Sequence, residues 1–164
     1  MAPDNITLYA VWSRIPSIAA FNGATTIISA QDGYIYGLAP GITQADFESD
    51  YIALTGNGSL EYLPDTGTLG TGTVVKVIDN ITGLAVQTFT VVIYGDVNGD
   101  GNIDTADSGI IVDYENFIIT WDPVADAALL EAADVNGDGN VDTGDAGIIV
   151  DHENFLLTIS QTGA

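Results

Sequence analysis

Asp96 to Phe117 reads DVNGDGNIDTADSGIIVDYENF, and Asp134 to Phe155 reads DVNGDGNVDTGDAGIIVDHENF, with 18 of 22 positions identical. Each copy opens with acids and amides at alternate positions around a glycine and closes with an apolar run at helical spacing. A hard cation such as calcium takes about six to eight oxygens, which a loop of about twelve residues supplies at fixed alternate positions, with a glycine at the midpoint for the sharp turn. In the first copy the candidate ligands are Asp96, Asn98, Asp100, the Asn102 carbonyl, Asp104 and Asp107, with Gly101 at the turn. In the second they are Asp134, Asn136, Asp138, the Asn140 carbonyl, Asp142 and Asp145, with Gly139 at the turn. The last ligand of each loop is Asp rather than the Glu of an EF-hand, so a shorter side chain must reach the ion and the coordination is expected to be tighter or altered. Ile103 and Val141 are the apolar residues expected to let the two loops lie against each other.

The charge balance points the same way. Among 164 residues there are 23 acids and two bases, Arg14 and Lys76, for a net charge of −21. That excludes a basic footprint for nucleic acid or anionic lipid. Fifteen of the acids lie from Asp96 onward, where there is no Lys or Arg. Such charge repels itself in a compact state unless bound cations neutralise part of it, and two loops imply two calcium ions. Cysteine is absent, which removes disulfides and thiolate zinc sites. With 46% apolar residues the chain can bury a core in one or two domains. No long apolar run or signal peptide is present, and the start, MAPDNITLYAVW, begins mid-pattern and reads as a piece cut from a longer polypeptide.

Upstream of the repeat the pattern is one of short strands. Residues 5–12 alternate as a strand, and 25–30 and 33–38 are short β-leaning runs split by a turn. Thr43 with Asp46 and Glu48 predicts a short capped helix. Strands follow at 52–55, 59–63, 73–79 and 85–94, the last two as a hairpin. The sequence thus predicts a remnant or edge strand of an upstream repeat at 1–22 and a small mostly-β module at 23–95. A sandwich of Ig-like type is preferred for that module over a β-grasp-like sheet.

From Asp96 the expectation is an all-α second domain, 96–164, with two EF-hand-like loop–helix units, 96–117 and 134–155. A connecting helix at 122–133 opens at Asp122 and Pro123. The apolar face of the first exiting helix is read from Ile110, Tyr114 and Phe117, and that of the second from Ile148, His152 and Phe155, widened by Ile111 and Ile149. Folding needs only one such face on each helix, so the near-identity of the outward residues calls for a second explanation.

These tandem units resemble the dockerin domain of cellulosome-type assemblies. The preceding stretch, with IYGLAPG, GTGTVVKV and TVVIYGDVNGDG, is similar to the X-module-like β domains that precede dockerins, and ITLYAVW resembles the end of a bacterial surface-protein repeat. The resemblance implies a non-catalytic, calcium-dependent interaction module. Its partner would be a cohesin domain of a scaffoldin or cell-surface protein, and it would anchor a larger protein in an extracellular bacterial assembly for polysaccharide degradation. It also implies recognition residues: Thr105, Ala106, Val112, Asp113 and Phe117 in one copy, and Thr143, Gly144, Val150, Asp151 and Phe155 in the other. Many dockerins carry Lys or Arg where this chain has its Val-Asp pairs, which implies a cohesin with an apolar and basic face. Agreement of the copies at four of these five positions, all but Ala106 against Gly144, implies a dual binding mode, with either helix able to dominate.

Two other functional classes fit these residues less well. An EF-hand-type calcium sensor or buffer would expose a Met-rich groove, but the one Met is Met1 and the first loop follows a strand rather than a helix. A glycosidase would need a pair of carboxylates free for acid–base work, whereas the acids here sit at ligand spacing. His152 reads as a packing or interface residue, and GTLGTG at 67–72 as a plain loop.

Overall fold

The computed structural model describes residues 14–163. Seven strands and four α-helices follow in the order β1 (Ser17–Ala20), β2 (Ile27–Ser29), β3 (Tyr34–Tyr36), α1 (Gln44–Asp46), β4 (Ile52–Thr55), β5 (Gly58–Leu63), β6 (Val74–Asp79), β7 (Leu84–Val91), α2 (Thr105–Glu115), α3 (Ala127–Ala133) and α4 (Thr143–Glu153). A π-helical turn, Phe47–Tyr51, extends α1. The strand expected at 5–12 lies outside the described residues.

A five-stranded sheet runs β2-β3-β7-β6-β5, and β1 pairs with β4 in a second, two-stranded sheet. Pairing is antiparallel except between β3 and β7, where Tyr34 faces Thr90 and Ile35 faces Val91 in parallel. The period-two pattern explains the inward face: Val75 and Val77 on β6 and Phe89 and Val91 on β7 are buried, while Lys76 between them faces out. Lys76 lies 3.6 Å from Glu61 on the neighbouring strand, an exposed pair of little energetic weight. Thr43 caps α1 in a reciprocal box with Asp46. The turn that follows drives Phe47 fully into the core, edge-on to Tyr62. The Ile18 N–H donates to Gln87 Oε1, tying β1 to the larger sheet.

The mostly-β character expected upstream is present, but an all-α second half is not. The described residues form a mixed fold of four helices and two sheets, and from Asp96 onward helix covers fewer than half of them. The reason is local. Gly99, Gly101, Gly137 and Gly139 take positive φ, and the loop carboxylates and amides capture nearby N–H groups, so both loops fold back on themselves instead of helically. The connecting helix is also shorter than expected. Asp122 accepts from the N–H groups of Val124 and Ala125 in a turn, and α3 begins only at Ala127.

The loop–helix half has no separate core. One buried cluster joins Ile35, Val75 and Val91 of the sheet to Ile93, Val97 and Ile103, and on to Ile111 and Ile149 of the two long helices. The chain end returns to the sheet. Gln161 accepts from the Tyr94 N–H and donates to the Tyr94 carbonyl, and its own carbonyl accepts from the Gly37 N–H.

Candidate metal loops and partner face

The two loops share most of one internal hydrogen-bond pattern, differing in which N–H reaches the first aspartate and in the Val97 bond to Asp107. In the first, Asp96 Oδ1 accepts from the Gly99 N–H at 2.8 Å and Oδ2 from Gly101 at 3.1 Å. Asn98 Oδ1 then accepts from Asp100, and Asp100 Oδ1 from Asn102. Asp107 closes the loop, taking the N–H groups of Val97, Asn98 and Asp104. In the second loop, Asp134 accepts from Asp138 and Gly139, Asn136 from Asp138, Asp138 from Asn140, and Asp145 from Asn136 and Asp142. Each loop hands over to its helix through a capping box. Asp104 boxes with Asp107, and Asp142 with Asp145, at nearly the same cap backbone angles. The last candidate ligand of each loop is therefore also the residue that starts the helix.

Burial bears on whether these residues suit a cation. Asp96, Asp107 and Asp145 are fully buried, and the sequence offers no Lys or Arg from Asp96 onward. Burial pushes the Asp96 carboxyl up to about 6, against the lowering effect of the Thr71, Gly99 and Gly101 N–H groups. Asp107 and Asp145 are also raised, again chiefly by burial. Buried carboxylates without a countercharge are costly, and a divalent ion reverses that cost. Among the described residues no three carboxylates are drawn close enough to cage an ion by themselves. Asn98, Asn136 and the carbonyls of Asn102 and Asn140 would complete the oxygen set, and an all-oxygen donor set suits calcium.

The helices that follow pack against each other. Their buried stripes are Asp107, Ser108 and Ile111 on α2, and Asp145, Ala146 and Ile149 on α4. This shifts the inward face from the one expected. Ile110 and Ile148 are only half-buried, and Phe117 and Phe155 are 87% and 95% exposed. The cause lies at the helix ends. Phe117 and Phe155 adopt φ of 58° and 59°, and the following Ile118 and Leu156 N–H groups donate back to Asp113 and Asp151. This is the helix stop usually made by glycine, and it swings both rings into solvent.

At about 100° per residue, Ala106 and Asp113 lie on the side of α2 away from its buried stripe and Thr105 and Val112 on its flank, where Val112 packs against the core, and their counterparts take the same angular positions on α4. Thr105, Ala106, Thr143, Gly144 and Asp151 are exposed, while Val112, Asp113 and Val150 are half-buried. Two matching grooves flank this surface. One is lined by Tyr114, Phe117, Ile119 and Val141, the other by His152, Phe155, Leu157 and Ile103. The apolar residue of each loop thus faces the end of the other repeat's helix.

The copies differ in three respects. Tyr114 stacks on Trp121 at 4.6 Å between ring centres, whereas His152 accepts from the Ile159 N–H. Glu115 Oε2 accepts from the Thr143 N–H, reaching from one helix end to the start of the other helix. Only the first loop is roofed by the sheet module, where the Thr71 N–H donates to Asp96 Oδ2 at 2.8 Å. Thr71, Glu115 and Gln161 went unmarked in the sequence reading. The one available signal was glycine density, at 67–72 and again at 95–101.

Residues 94–152 match the family model described as the dockerin type I domain. No curated protein and no solved structure matches the chain.

Proposed function

From the match of residues 94–152 to the dockerin type I model, we propose that this chain docks in a calcium-dependent manner on a cohesin through either of its two helix faces, and so anchors a larger protein on a scaffold. Dockerin domains bind cohesin domains of scaffoldins and are themselves non-catalytic. The finer reading is supported by one observation above all: two outward surfaces that share four of five recognition residues, differing at Ala106 and Gly144, with the same caps and the same glycine-like stop at a phenylalanine. The proposed ions are two, one in each loop, held by the twelve residues named above. The recognition residues are Thr105, Ala106, Val112, Asp113 and Phe117 and their counterparts Thr143, Gly144, Val150, Asp151 and Phe155. The Val-Asp pairs favour a cohesin surface that is apolar with a basic element. Family context places such domains in secreted assemblies, and an extracellular bacterial setting fits a metal loop that works at millimolar calcium. Among the described residues no helix is long and apolar enough to cross a membrane.

The deciding experiment is a calorimetric screen of this chain against a panel of cohesins, with calcium and with chelator. Binding to at least one cohesin in calcium and to none in chelator is expected. Binding that survives chelation would contradict the reading.

The phenylalanine stops supply a second test. A bulky residue at positive φ costs about 1 kcal/mol relative to glycine. Phe117→Gly with Phe155→Gly is therefore expected to raise the melting temperature while weakening cohesin binding. Such opposite signs would separate a recognition role from a packing role.

A further inference from the structure

The two loops are nearly the same in sequence, so any difference between them as cation sites comes from what surrounds them. We propose that the sheet module makes them unequal: the Leu69–Thr73 turn seats the first loop and renders it the tighter and slower-emptying site, leaving the second loop as the one that fills and empties with ambient calcium. This rests on the reading that both loops hold calcium.

The contact is backbone on backbone. A methyl group added at Gly70 would lie 2.1 Å from the Gly99 carbonyl oxygen and 2.9 Å from the Gly101 nitrogen. One added at Gly99 would lie 2.7 Å from the Thr71 carbonyl oxygen, and one at Gly101 2.5 Å from that of Leu69. Only glycines permit this approach. The same addition at Gly139 in the second loop meets nothing within 4 Å.

Polar ties accompany the fit. The Thr71 N–H donates to Asp96, and the Gly41 N–H donates to the Gly101 carbonyl at 2.7 Å. Thr71 is itself held by its hydroxyl, which both donates to and accepts from the Ile93 backbone. Asp96 is fully buried as a result, while its counterpart Asp134 is part-exposed.

Two physical consequences follow. Release of the ion from the first loop leaves a buried charge that water cannot reach, which penalises the empty state more than in the second loop. Opening the first loop also requires lifting it off the 69–73 turn, whereas the second loop opens directly to solvent. Both effects slow release, and a difference of about 1.4 kcal/mol between the loops is tenfold in the equilibrium.

The test is stopped-flow mixing of the calcium-loaded chain with a fluorescent chelator. Two release phases of equal amplitude are expected, separated by about tenfold or more in rate. Asp100→Ala should remove the slow phase and Asp138→Ala the fast one. Gly70→Ala, which changes no loop residue, should accelerate the slow phase and leave the fast one where it was. A single phase accounting for both ions, a reversed assignment, or equal acceleration of both phases by Gly70→Ala would overturn the proposal. The exposed Asp100 and Asp138 variants carry the test even if Gly70→Ala does not fold. Absence of any bound calcium would instead sink the calcium reading, and this proposal with it.

Discussion

Stripping calcium with excess chelator is expected to unfold the loop–helix half and abolish cohesin binding. Asp96, Asp107 and Asp145 are buried, and there is no Lys or Arg from Asp96 onward to take the place of an ion. One buried charge left without its partner costs about 3–5 kcal/mol. Two or three such charges rival the whole stability of a typical domain, about 5–15 kcal/mol. Because Asp107 and Asp145 also cap α2 and α4, disorder in the loops passes straight into the helices that carry the recognition residues. Far-ultraviolet circular dichroism should show the helical signal falling on chelation and returning when calcium is restored. An unchanged melting curve would exclude a structural role for the ion.

Replacing one recognition pair, Val112→Ala with Asp113→Ala, should barely weaken binding, whereas adding Val150→Ala and Asp151→Ala should cost about a hundredfold or more. The arithmetic follows from two equivalent modes. Losing one of two equal states halves the apparent affinity, about 0.4 kcal/mol, while losing both removes the central contacts of the interface. Calorimetry on the three variants reads this directly, with circular dichroism controlling for the half-buried valines. A large loss from either pair alone would rule out interchangeable faces. The Glu115 tie to Thr143 exists on one side only, so the single variants need not weaken binding equally.

Much of this was legible because the strong signals are short-range. Alternating residues and turn glycines place β4, β5 and β6 within a residue or so of their observed bounds, whereas Asp104 and Asp142, read as ligands, also prove to be the caps of α2 and α4, and the cap expected at Asp122 sits in a turn ahead of α3. What escaped depends on distant partners. Ser17–Ala20 has no alternation to mark it and becomes a strand only through Ile52–Thr55, more than thirty residues on. The inward helix face centres on Ile111 and Ile149 rather than on Ile110 and Ile148, because the helix ends at Glu115 and Phe117 turns outward instead of continuing the stripe. The GTLGTG stretch is a loop as read. Its role as the seat of another loop is invisible without the matching glycines beyond residue 94.

The absence of a linker between β7 and the first loop bears on how the chain carries load. Strand β7 lies between β3 and β6, hydrogen-bonded on both flanks, and runs through Val92, Ile93 and Tyr94 directly into Asp96. Tension between a docked helix face and the sheet is therefore delivered along a central strand. That direction loads its flanking hydrogen bonds together in shear rather than one at a time from an edge. Under the docking proposed above, a pull on the bound helix face would meet the sheet along the axis on which β7 is held from both sides.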